Sequence, residues 1–283
     1  MQKIAVLTDS GCDVPRSAAE TYNIHILPLK ITYSGKTYTD NVDIAPRDVY
    51  DRFPREIPKT STPNVAEIAD MLDVIRSEGY THVLCVCISS GLSGTYQTVC
   101  SALKEETSLV TYAFDTKNIS IGAGIFALLA AEMAARGESF ETIVETLERK
   151  RTDAKLFYYM DTLDYLVAGG RIGRVAGLVG GILKLKPIIS CNEDGVYYPV
   201  GILKNKKRGV AKLIECAARF ADGNPCELAL MNGDAEAEAA AVAHPLLEAI
   251  PQGTIKTQGQ IAASLAVHTG PGLIGILVFR TDI

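Results

Sequence analysis

The chain has 283 residues, 47% hydrophobic and 22% charged, which is ordinary for a globular protein and long enough for two domains with separate cores. Its formal charge of -5 argues against nucleic acid as the main partner, because phosphate binding needs a basic surface. No apolar run is long enough to span a bilayer, and MQKIAVLTDS reads as a strand rather than a secretory leader, so the expected location is the cytoplasm with no transmembrane segment.

Lys3 to Thr8 is a short apolar strand ending in the turn Asp9-Ser10-Gly11, and Pro15 opens a helix towards Tyr22. Ile24 to Tyr33 is extended, and Ser34-Gly35-Lys36 returns it through Thr37 to Thr39 as a hairpin. Pro46 starts a short helix, Arg47 to Phe53. A polar loop, Lys59-Thr60-Ser61-Thr62-Pro63, feeds a helix with Val65, Ile68, Ala69, Leu72 and Ile75 on one face and capping-box spacing at Asn64 and Glu67. Val83 to Ile88 is a buried strand broken at Ser89-Ser90-Gly91, and Tyr96, Val99, Cys100 and Leu103 then follow helical spacing. Ser93 falls at the junction as the predicted N-cap, with Gly94 next.

Leu109 to Phe114 is a further strand, and Ile119 to Ala135 is a long helix with little polar face, hence buried on several sides. Gly122 and Gly124 each cost that helix about 1 kcal/mol, for which close packing is the usual reason. Gly137 stops it, and Phe140 to Arg151 forms an amphipathic helix. This alternation predicts a mostly parallel sheet covered on both faces, with ligands collecting outside the carboxyl ends of the strands.

The pattern changes near Asp153, which predicts a boundary between a domain at 1-154 and another at 155-283. Leu156 to Met160 is extended, Leu163 to Val167 is a short helix stopped by Gly169-Gly170, and a glycine-rich helix is expected around Leu178 to Leu183. Pro187 to Ser190 and Val196 to Leu203 pair around Glu193-Asp194-Gly195. Lys204, Lys206, Lys207 and Arg208 lead into a helix reaching Phe220. Strands at Glu227 to Met231, Ile255 to Thr257 and Ile274 to Phe279 are separated by helices at Ala235 to Ala249 and Ile261 to Val267. The seven cysteines mostly sit in apolar runs, and Cys85-x-Cys87 has no second pair at metal-ligand spacing, so neither a structural metal nor a disulfide framework is expected.

A strand, a Ser/Gly loop and a helix N-terminus at Ser89 to Gly94 point backbone N–H groups at one spot, where an anionic head group would bind. A serine cap needs no ligand to explain it, a turn hydroxyl accounts for Thr60, and a helix C-terminal histidine interacting with the dipole accounts for His268. Gly91-Leu92-Ser93-Gly94-Thr95 nearly spells the G-x-S-x-G elbow of a serine esterase, with His268 following Ser93 in the right order. Thr95 replaces the last glycine, however, and no aspartate is marked out to orient the imidazole. A nucleotide site lacks the lysine of the G-x-x-x-x-G-K-[ST] pattern.

VLTDSGCDVP, KTSTPN, ISSGLSGTYQT, FDTKNISIGAG, GGRIGR, LKLKPII and VHTGPGLIG, in this order across the whole chain, resemble the DegV family. The resemblance implies a two-domain α/β protein, with a mostly parallel N-terminal sheet sandwiched by helices and a mixed C-terminal sheet packed with helices. It implies a carrier, without turnover or cofactor, that holds a long-chain fatty acid in an interdomain tunnel. Such proteins present the carboxylate to a fatty acid kinase, and the acyl phosphate passes to phospholipid synthesis. Carried over by motif, the carboxylate would meet Thr60, Ser93 and Gly94, with His268 close by. Ile119, Gly122 and Phe126 are candidates for the tail channel, and Arg171, Arg174, Lys204 and Lys207 for a kinase-docking face. Family members commonly carry Arg-Thr before the basic run, where this chain has Lys204-Asn205, and a lysine lacks the planar fork of arginine.

Overall fold

The computed structural model describes residues 2–173, 175 and 186–281, so the helix expected around Leu178 to Leu183, and Arg174, lie outside the described residues. Four parallel strands form the first sheet. Strand β1 (Ile4–Asp9) is followed by helix α1 (Arg16–Tyr22) and β2 (His25–Leu27). After the hairpin β3 (Lys30–Tyr33) and β4 (Lys36–Thr39) come α2 (Pro46–Arg52), β5 (Lys59–Ser61), α3 (Val65–Ser77), β6 (His82–Cys87), α4 (Thr95–Glu105) and β7 (Val110–Asp115). The sheet order is β2-β1-β6-β7. One face packs on α3 and α4 through Leu7, Cys85, Ile68, Leu72, Ile75 and Val99. At the start of α3 the predicted capping box is complete: Glu67 N–H donates to Asn64 Oδ1 and Asn64 N–H donates to Glu67 Oε2, both at 2.9 Å.

The opposite face packs on α5 (Ile121–Ala135), beside α6 (Phe140–Lys150). Helix α5 also packs on β8 and β13 of the second sheet, and this explains its lack of a polar face. That six-stranded mixed sheet is built from β8 (Ala154–Tyr159), then, after α7 (Asp164–Ala168), β9 (Lys186–Cys191) and β10 (Tyr197–Leu203), followed by α8 (Lys206–Ala221). It is completed by β11 (Cys226–Gly233), helices α9 (Glu236–Ala240) and α10 (Ala243–Ala249), β12 (Gly253–Gln260), α11 (Ala263–Thr269) and β13 (Leu273–Arg280). Its order is β10-β9-β8-β13-β11-β12, with only β11 and β12 parallel. The face away from α5 is covered by α8, α9 and α10.

Three expectations are corrected. Lys59 to Ser61 is a strand rather than a loop: it pairs antiparallel with β3 in a small sheet of order β4-β3-β5, held by a long-range partner that local composition does not reveal. The single helix expected from Ala235 to Ala249 is two, because Pro245 has no N–H for Ala241 and is tolerated only in the first turn of α10. Ser93 is not the N-cap of α4. Leu92 and Ser93 N–H close a turn onto Ser89 O, at 3.0 and 3.1 Å, which shifts the helix start to Thr95 with Gly94 at the cap.

Among the described residues no helix is long and apolar enough to cross a membrane, and all seven cysteines are free.

Candidate functional site

The small sheet decides where Thr60 points. Thr60 lies opposite Ile31 in the β3–β5 register, so the two side chains share a face, and Ile31 is fully buried in a cluster with Ala263, Ala266 and Val267 of α11. Thr60 therefore faces α11, and its Oγ1 lies 2.8 Å from Nε2 of His268 in that helix's last turn. Residues 208 positions apart in sequence meet here.

Both line a cavity between the Ser/Gly loop, α11 and the inner face of β8 and β9. It is narrow, enclosing about 660 Å³ of empty space including its mouth. Leu29, Ile88, Leu92, Ile119, Met160, Leu166, Ile189 and Leu265 supply most of its apolar wall. The hydroxyls of Ser120, Ser264 and Thr269 are already engaged, with Asp13, Asp40 and the Leu265 carbonyl respectively. Among the described residues the Ser93 hydroxyl is bonded only to its neighbour Thr95, Oγ to Oγ1 at 2.9 Å, and it accepts the Thr95 N–H at 3.3 Å. An outer depression shares Leu92, Ser93 and Arg171 with the cavity and adds Gly94, which places the mouth at the Ser/Gly loop.

Arg171 belongs to this mouth. Its Nε donates to Leu92 O at 3.3 Å and its Nη1 to Gly169 O at 2.8 Å, both neutral acceptors, and among the described residues it makes no ion pair. Burial, with the Arg171 guanidinium nearby, pushes the His268 imidazole down to about 4. His268 is therefore neutral at pH 7 and does not supply the positive charge that a protonated imidazole would offer a carboxylate. A serine–histidine relay is also not assembled: Nε2 is bonded to Thr60, and His268 Nδ1 is buried without a partner among the described residues.

Of the residues singled out from sequence, Thr60, Ser93, His268, Ile119 and Arg171 line the cavity and Gly94 lies just outside it. Gly122 and Phe126 do not line it. A Cβ at Gly122 would sit 2.8 Å from Asn118 Cγ and 3.0 Å from Leu156 Cβ, so close packing is what that glycine serves. Phe126 is fully buried between Phe114 and Phe279, at centroid distances of 5.3 and 5.9 Å. Lys204, just after β10, and Lys207, in the first turn of α8, are exposed. Gly169, Tyr158 and Ser264 were not foreseen. Only the Gly169-Gly170 pair left a trace in the sequence, read there as a helix stop.

Behind the cavity, two buried carboxylates, Asp9 and Asp40, and the partly exposed Asp13 join loops from distant parts of the chain. Asp9 accepts from Gly11 N and Ile88 N at 3.0 Å, Asp13 accepts from Ala262 N at 2.8 Å and bonds Ser120, and Asp40 accepts from Ser10 Oγ at 2.8 Å and bonds Ser264. Burial outweighs those hydrogen bonds, raising Asp9 to about 7 and Asp13 to about 8. The folded protein then keeps protons that the unfolded chain releases above about 4, so stability falls as pH rises towards 8. The lowered His268 acts oppositely, its contribution being lost as pH falls from about 6.5 towards 4, and it adds no slope above that window. Between pH 6.5 and 8, Asp13 and Asp9 together should cost on the order of 2 kcal/mol, most of it from Asp13, the slope of about 1.4 kcal/mol per pH unit per proton shrinking as each group titrates. Urea denaturation should show this loss in the wild type and a flatter profile in Asp13→Asn; equal slopes would disprove the assignment.

A family model described as "Uncharacterised protein, DegV family" matches residues 3–281. A DegV domain-containing protein of Clostridium acetobutylicum is 41% identical over 280 residues, 99% of this chain and 100% of the relative. A fatty-acid-binding DegV family protein of Thermus thermophilus superposes with a TM-score of 0.92 at 27% identity, covering 99% of this chain and 100% of the other. A stearic acid-binding protein of Eubacterium ventriosum gives a TM-score of 0.89 at 28% identity over 99% and 98% of the two chains. With near-complete coverage in sequence and in fold, the chain belongs to the DegV family.

Proposed function

We propose that this protein is a fatty acid carrier, holding a long-chain acid in the narrow cavity between a domain at residues 1–154 and one at 155–283. The observation that carries this reading is an apolar slot whose wall includes the hydroxyls of Thr60 and Ser93 and the Arg171 guanidinium, with Ser93 and Arg171 at its mouth and Gly94 just outside. The carboxylate lies there, accepting hydrogen bonds from the two hydroxyls while Arg171 supplies the countercharge. A buried methylene contributes ~0.8 kcal/mol, so about 14 methylenes give roughly 11 kcal/mol before the cost of association. The fatty acid binding described for the Thermus and Eubacterium proteins supports the same ligand class.

In this reading the carrier has no turnover of its own and works in the cytoplasm. A fatty acid kinase phosphorylates the presented carboxylate, with Lys204 and Lys207 on the docking face, and the acyl phosphate enters phospholipid synthesis. Native mass spectrometry of protein purified without delipidation tests the ligand. The expected spectrum shows a bound fatty acid that is released on unfolding. Protein that emerges empty and takes up no palmitate would refute the reading.

A further inference from the structure

The His268 ring has one nitrogen engaged and one not. Nε2 is bonded to Thr60 Oγ1, whereas Nδ1 is buried with no hydrogen-bond partner among the described residues. What faces Nδ1 is the backbone of Gly169. A Cβ built there would fall deep inside contact distance of Nδ1 and 2.7 Å from Cε1, so the Cα–H bond occupying that direction points at Nδ1. Gly169 is itself tied down: its N–H donates to Tyr165 O at 2.9 Å and its carbonyl accepts from Arg171 Nη1 at 2.8 Å.

A proton on Nδ1 would press against that hydrogen and form a buried donor without an acceptor. A lone pair there instead takes a weak Cα–H···N contact. The neutral imidazole carries one proton, and the largely buried position beside a guanidinium disfavours a second. We infer that Gly169 fixes His268 in the Nε2–H tautomer, so that His268 donates to Thr60 Oγ1 and the Thr60 hydroxyl proton is turned into the cavity as a donor to the ligand. Gly169 and His268 are then positioning residues, and Thr60 is the group that touches the head group. The inference rests on the fatty acid reading for its ligand. It adds a polarity to the site, in which a carboxylate is accepted and an amine head group, which offers only donors when protonated, is rejected.

Long-range proton–nitrogen NMR on protein labelled with ¹⁵N-histidine reads the tautomer at pH 7, the His268 signals being those lost in His268→Gln. The Nε2–H pattern is expected, and an Nδ1–H or imidazolium pattern overturns the inference. His268→Gln places an amide nitrogen near the Nε2 position and His268→Asn near the Nδ1 position. Palmitate affinity should therefore stay within about threefold in the glutamine variant and fall about tenfold in the asparagine variant. The reverse order would also overturn the inference. Palmitate bound by a protein with the Nδ1–H tautomer would refute the inference and leave the carrier reading intact. The Nε2–H tautomer in a protein that ignores palmitate would do the opposite.

Discussion

Shortening the ligand from sixteen to twelve carbons should weaken binding by about 200-fold, because four methylenes at ~0.8 kcal/mol each amount to about 3 kcal/mol. Ser93→Ala should cost less, about tenfold, since a hydrogen bond to a charged group at a mouth open to water lies near the lower end of about 1.5–3 kcal/mol. The ordering follows from the cavity. Its wall is mostly apolar, and the Ser120, Ser264 and Thr269 hydroxyls within it are already bonded to protein groups, so the tail meets hydrocarbon while the head group meets few donors. Displacement of a fluorescent fatty acid by a homologous series measures both numbers. A flat response to chain length, or a serine effect larger than the four-carbon effect, would contradict this division between tail and head group.

Gly124→Ala should destabilise the fold by about 2 kcal/mol, although alanine is the better helix former by about 1 kcal/mol. Gly124 lies in α5 against the turn after β1, where a Cβ would run into the Cys12 carbonyl oxygen and sit 3.3 Å from Val14 Cγ2. Cys12 is fully buried, so neither backbone can yield without disturbing the core. Gly259→Ala is the control: a Cβ there meets nothing within 4 Å, and the change should stay within about 0.5 kcal/mol. Urea midpoints for the two variants decide the matter, and a neutral Gly124→Ala would mean that α5 and the turn are looser than their packing implies.

Features set by neighbours in sequence were legible. The capping box at Asn64 and Glu67 depends on three-residue spacing, and the buried character of α5 follows from having no polar stripe. The order of motifs along the whole chain identified the family. Features set by distant partners were not legible. Lys59 to Ser61 is too polar to read as a strand until β3 lies beside it, and that pairing alone turns Thr60 towards His268. Arg171 read as part of a kinase-docking face because nothing local shows that its guanidinium folds back onto Leu92 and Gly169. The break between α9 and α10 was written in Pro245 and is the one correction that local rules could have supplied.

Helix α5 is a shared wall, in contact with β1 and β6 on one side and β8 and β13 on the other. A hinge that parted the two sheets would wet Phe126, Ala127 and Ala130 together, a price far above that of moving a few surface residues. In the carrier reading proposed above, exchange of the fatty acid would then fall to the segments around the rim, among them Ser90 to Gly94 and Gly170 to Gly173, rather than to a parting of the two halves.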